Sequence, residues 1–117
     1  MEKYICSRVD GPPTKQEIIK PYVIEVVTFK YKSTISADDF WKEDAKIQID
    51  YTSVQPGFIS RESGFSDENN EVHVIVKWKT ESDANASMQK FMEDKSVVEF
   101  VKMIESNTMK MKRYKVE

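Results

Sequence analysis

At 117 residues and 13.7 kDa the chain has room for one domain, and its 39% hydrophobic and 32% charged residues exclude a collagen-like, low-complexity or wholly disordered polymer. The 18 Lys and Arg against 20 Asp and Glu leave a net charge of −2, too neutral for a dedicated nucleic-acid binder. No apolar run approaches the ~20 residues of a membrane span, and the single Cys6 excludes an intrachain disulfide and a cysteine-based zinc site.

Residues 1–21 read as an N-terminal arm. Tyr4-Ile5-Cys6 has the composition of a short strand, Gly11-Pro12-Pro13 breaks it, and Thr14 to Glu17 has capping-box spacing before Pro21. No apolar h-region opens the chain, so no signal peptide is expected, and the location expected is a reducing cytoplasm.

The domain expected over 22–117 begins with a β-branched and aromatic strand, 22–32. Ser36-Ala37-Asp38-Asp39 caps a helix to about residue 53, whose inward stripe is Ala37, Phe40, Asp44, Ile47, Tyr51 and Val54. Gln55-Pro56-Gly57 ends it. Strands at 58–66 and 71–79 follow, joined by a turn at Asp67-Glu68-Asn69-Asn70. Thr80-Glu81-Ser82-Asp83 caps a second helix with Ala84, Ser87, Met88 and Phe91 inward. A short helix from Ser96 turns Val97, Phe100, Val101 and Ile104 inward, and 108–116 is the last strand. The order β-α-β-β-α-β predicts an α+β, ferredoxin-like fold, a four-stranded antiparallel sheet with helices on one face.

Both faces of the sheet carry large apolar groups. Val23, Val27, Phe29 and Tyr31 alternate with Ile24, Val26 and Thr28, and Val72, Val74, Val76 and Trp78 alternate with His73, Ile75 and Lys77. Helices cover one face, so an uncovered Phe29–Ile75 surface on the order of several hundred Å² is expected, and a second copy is its simplest cover. The partner expected is therefore a second copy of this chain, packed through the sheet face.

Glu25-Val26-Val27-Thr28-Phe29-Lys30, Gln55-Pro56-Gly57-Phe58-Ile59-Ser60-Arg61 and Val76-Lys77-Trp78-Lys79-Thr80-Glu81-Ser82 resemble the antibiotic biosynthesis monooxygenase-like family. The resemblance covers about residues 22–116 and implies a dimeric α+β barrel. It also implies a choice of chemistries, including oxidation of aromatic substrates by dioxygen without metal or flavin. Haem degradation, known in the superfamily, is not expected. The positions matching that branch's Asn, Trp and His lie near Thr28, Phe91 and Val101, and the chain has no helical histidine to ligate haem.

Within that frame Asp44 is the conspicuous residue, a carboxylate in the middle of an apolar stripe. It either borders a polar pocket as a base or is met by a partner, a lysine or a donor such as Thr28 or Tyr51. His73 is the only imidazole available for acid–base work. The candidate catalytic set is thus Asp44, Tyr51 and His73, and the candidate ligand-binding set is Thr28, Phe40, Trp41, Trp78, Ser87 and Phe91. No metal-ligand spacing, phosphate loop or nucleophile motif is present, so no metal and no cofactor is expected. Lys110, Lys112, Arg113 and Lys115 make the last strand basic, either as protection of an edge or as a rim for an anion. Two functions fit: a cofactor-independent monooxygenase or related oxidoreductase acting on a small aromatic or electron-rich substrate in a pocket between helices and sheet, or a non-catalytic homodimeric small-ligand-binding or stress-associated protein.

Overall fold

Strong β-formers at alternating positions build the sheet, and a computed structural model describes residues 8–10, 19–66 and 70–117. In chain order these are β1 (Arg8–Asp10), β2 (Tyr22–Tyr31), α1 (Ala37–Asp50), β3 (Phe58–Phe65), β4 (Glu71–Trp78), α2 (Glu81–Phe91), α3 (Val98–Met103) and β5 (Ile104–Val116). The sheet runs β1-β3-β4-β2-β5, every pairing antiparallel. The four long strands and the helices make the expected ferredoxin-like βαββαβ order, and β1 adds a fifth strand at the edge beside β3. The expected strand at Tyr4-Ile5-Cys6, the capping box at Thr14 to Glu17 and most of the turn at Asp67 to Asn69 lie outside the described residues. No helix among the described residues is long and apolar enough to cross a membrane.

Local signals place the helices. Ser36 accepts the Asp39 N–H at 3.1 Å and Thr80 accepts that of Asp83 at 3.0 Å, each satisfying an orphan donor of the first turn. After α1 a single 3-10 turn, Thr52–Val54, leads to Gly57, whose φ of +80° lies in the left-handed region. A Cβ there would stand 2.6 Å from that of Asp83, so the turn needs glycine on two counts. Val54, expected inward, is exposed because this turn departs from the helical period.

The core lies between the helices and one sheet face. Phe40 is fully buried at its centre, stacked on Tyr31 at 4.6 Å between centroids and touching Phe29, Trp41 and Phe100 edge-on or tilted. On β2 the inner residues are Val23, Glu25, Val27, Phe29 and Tyr31; on β4 they are Val72, Val74, Val76 and Trp78. This corrects the expected uncovered surface. Phe29 pairs in register with Val72 and is buried under the helices, whereas Ile75 pairs with Val26 on the outer face. Partners across an antiparallel pair share a face, so Phe29 and Ile75 cannot. The outer apolar strip is instead Ile24, Val26 and Ile75, all half-buried, with Tyr114 beside them on β5. Val101, also expected inward, is exposed, and β5 starts at Ile104, four residues earlier than expected.

Candidate functional site

The register aligns one inner row across four strands: Arg61 on β3, Val76 on β4, Glu25 on β2 and Arg113 on β5. Its two ends carry different ion pairs. At the β3 end, Asp44 of α1 is completely buried. Arg61 donates to it through Nη2 at 2.7 Å and Nη1 at 3.4 Å, and the Ser63 hydroxyl donates at 2.7 Å. Arg61 Nη1 also reaches Gln48 Oε1 at 3.1 Å. Both carboxylate oxygens are thus occupied by donors from β3, which neutralise a charge that would otherwise be prohibitive to bury.

At the other end Glu25 is 5% exposed, although it sits on the apolar side of β2. The Trp78 indole donates to its Oε1 at 3.1 Å, and Arg113 Nε lies 3.4 Å from the same oxygen. That contact is an ion pair without hydrogen-bond alignment, and Arg113 Nε is buried with no hydrogen-bond partner. Arg113 Nη1 donates to Asn85 Oδ1 on α2. Burial pushes the Glu25 carboxyl above its ordinary value of 4.5, and the Arg113 charge and the Trp78 indole offset part of the shift.

Between 4.5 and the raised folded value the native protein holds a proton at Glu25 that the unfolded chain has lost. The Glu25 contribution is therefore fully present below that window, declines as pH rises through it and is gone above. Urea unfolding at steps from about pH 4 to about pH 8 should show this falling component, and Glu25→Gln should remove it.

The expected site residues fall into four places. Asp44 has its own network. Tyr51, Ser87 and Phe91 meet where α1 faces α2: the Tyr51 hydroxyl donates to the Ser87 carbonyl at 2.7 Å, and the Phe91 ring stands edge-on at 5.4 Å. Burial pushes the Tyr51 hydroxyl up, the Ser87 bond offsets it and the Asp94 charge adds to it. Phe40, Trp41 and Trp78 are core residues, Trp41 packing on Phe65 and Trp78 on Phe58. Thr28 and His73 pair with each other on the outer face, away from Asp44, and His73 is exposed.

Thr28 also borders an open groove of about 320 Å³ with Lys30, Glu71, Asn107, Thr108 and Lys110. The groove forms where β5 loses register with β2 and the Lys30 N–H turns to Thr108 Oγ1 at 2.9 Å. Among the described residues no group of three His, Cys, Asp or Glu is placed to hold a metal ion.

The residues that sequence reasoning missed are Glu25 and Arg61, while Arg113 was read only as one of the basic residues of the last strand. Glu25 had a readable signal, an acid at an inward position of the run Val23, Glu25, Val27, Phe29.

No protein-family model matches the chain. No curated protein matches it in sequence. Among solved structures the fold recurs. SnoaB, a cofactor-independent oxygenase from Streptomyces nogalater, superposes with a TM-score of 0.66 at 15% identity over 84% of this chain and 95% of its own. A dimeric ferredoxin-like protein of unknown function from Thermobifida fusca gives 0.66 at 9% identity, over 87% of this chain and 97% of that one. Protein SO0527 from Shewanella oneidensis gives 0.61 at 17% identity, over 86% and 95%. At such identities the likeness shows the fold alone.

Proposed function

We propose that this protein is a cofactor-independent oxygenase or closely related oxidoreductase, acting as a homodimer on a small electron-rich aromatic between the helices and the inner sheet face. The observation that carries the reading is a buried carboxylate, Glu25, on that inner face beside an indole and a guanidinium. Oxidation by dioxygen without a cofactor needs a substrate ionised in a dry site, and a desolvated base supplies the ionisation. The likeness in fold to SnoaB, over 84% of this chain, supports the same class. Oxygen uptake by metal-chelated protein on a panel of naphthols and anthrones is the direct test. Protein-dependent uptake above the buffer rate is expected, and its absence across the panel would sink the reading.

A second reading, a non-catalytic homodimeric ligand-binding protein, is favoured by one observation. The set Asp44, Tyr51 and His73 is not assembled, since Asp44 is saturated by Arg61 and Ser63. A small molecule retained through native purification, together with no oxygen uptake, would select it.

The dimer in both readings uses the outer strip of Ile24, Val26 and Ile75. Ile75→Lys places a charge in the middle of that strip and leaves the core untouched. Light scattering at micromolar concentration should then give a folded monomer where the parent chain gives a dimer.

A further inference from the structure

The ladder between β2 and β5 is broken at one point, and the break opens the groove beside Thr28. Thr28 pairs with Lys110 and Lys30 pairs with Glu105, so two steps along β2 are matched by five along β5. The surplus residues bow out of the ladder, and a bulge re-aims the side chains around it. The bow is held in place. The Thr108 hydroxyl accepts the Lys30 N–H at 2.9 Å and donates to the Glu105 carbonyl at 2.6 Å. Most of the other polar groups in the lining are unused. Among the described residues, the Thr28 hydroxyl, the Asn107 amide and the ammonium groups of Lys30 and Lys110 have no hydrogen-bond or ion-pair partner. Glu71, the one acid of the lining, accepts the Ser66 hydroxyl at 3.2 Å. Lysines on an edge strand discourage unwanted pairing without any cavity, but here two of them flank one together with neutral donors.

We propose that this groove binds a phosphate group, free or as the monoester of a small molecule, between Lys30 and Lys110, with Thr28 and Asn107 donating to its remaining oxygens. The two ammonium groups supply charge, and the hydroxyl and the amide supply directed hydrogen bonds. A tetrahedral dianion presents oxygens to all four donors, whereas a planar carboxylate has only two to share. Two bases against one acid make the lining positive in a chain whose net charge is −2. His73, in register with Thr28, and Lys112, one outer row further along β5, add no opposing charge; Glu105, across from Lys30, does not line the groove. The volume stands at the low end for small-molecule sites, enough for a phosphate and a short attached group. The site shares no residue with the Glu25 and Asp44 networks and stands whether or not the protein is an oxygenase.

The test follows backbone amide chemical shifts of the full-length protein during titration with inorganic phosphate, glycerol 3-phosphate and acetate, at a constant ionic strength of about 0.15 M. The parent is compared with Lys110→Gln, Thr28→Val and Lys115→Gln. Lys115 is on the same strand but faces Glu81 at 3.7 Å and does not line the groove, so its loss removes an equal charge elsewhere. Saturable shifts centred on Thr28, Lys30, Asn107 and Lys110 are expected in the parent. Lys110→Gln should weaken phosphate binding by about fivefold or more, and Lys115→Gln should leave it within about twofold. Thr28→Val should weaken it with no change in charge. Acetate should bind the parent less tightly than phosphate by about threefold or more. Tighter binding of glycerol 3-phosphate than of inorganic phosphate supports a monoester as the occupant, and the reverse order supports the free ion. Shifts that fail to saturate, or that spread over lysines throughout the chain, overturn the site. Equal losses in Lys110→Gln and Lys115→Gln overturn it too, because they reduce the effect to general attraction. Acetate binding as tight as phosphate overturns the assignment to a phosphate.

Discussion

Arg61→Met should destabilise the protein by about 3–5 kcal/mol, because it strands a fully buried carboxylate. Asp44 would keep only the Ser63 hydroxyl, and Gln48 would lose its donor as well. Methionine fills most of the arginine's volume, so the loss is electrostatic and not a cavity. Removing both charges, with Asp44→Asn and Arg61→Met together, should recover at least half of the loss, since the unpaired charge is gone. Midpoints of urea denaturation measure both variants, and total stabilities for a domain of this size run to about 5–15 kcal/mol. A single variant within about 1 kcal/mol of the parent would mean that water reaches Asp44, contrary to its burial.

Phe40→Ala carries a comparable penalty for a different reason. Its ring is the meeting point of Phe29, Tyr31, Trp41 and Phe100, four aromatics delivered by β2, α1 and α3. None of the four can swing into the space without abandoning its own contacts, so a cavity remains, and a loss of about 3–5 kcal/mol is expected. Phe40→Leu, which keeps most of the apolar volume, should cost less than half as much. The same urea titrations decide it, with unchanged m-values confirming that the native state itself has not loosened.

The fold was legible because its signals are local. Alternation marks β2 and β4, and the caps at Ser36 and Thr80 form the hydrogen bonds their spacing implies. What alternation cannot say is which face of one strand joins which face of its neighbour. That depends on register, and register put Phe29 beside Val72 and not beside Ile75. On β3 the alternation itself is interrupted. The register shift between Phe58 and Ser60 changes the parity, so Phe58, Arg61 and Ser63 all point inward. Arg61 therefore could not be matched to Asp44 from spacing, although Asp44 was visible as an acid that needed a partner. The pairing of Glu25 with Arg113 escaped notice because it arises only when β2 and β5 are set side by side, 88 positions apart in the chain.

Across the four long strands the outer row Glu62–Ile75–Val26–Lys112 sets two aliphatic residues between an acid and a base, and Arg8 of β1 stands next in register beyond Glu62. Two such sheets placed face to face through a two-fold axis parallel to the strands exchange left for right, setting each Glu62 over the other copy's Lys112. An axis across the strands and centred on that row sets Glu62 over Glu62 and Lys112 over Lys112, and like charges oppose each other. The first arrangement also makes strands in the two sheets run in the same direction. For the homodimer proposed above, this row tells the two axes apart, acid over base in the first and like over like in the second.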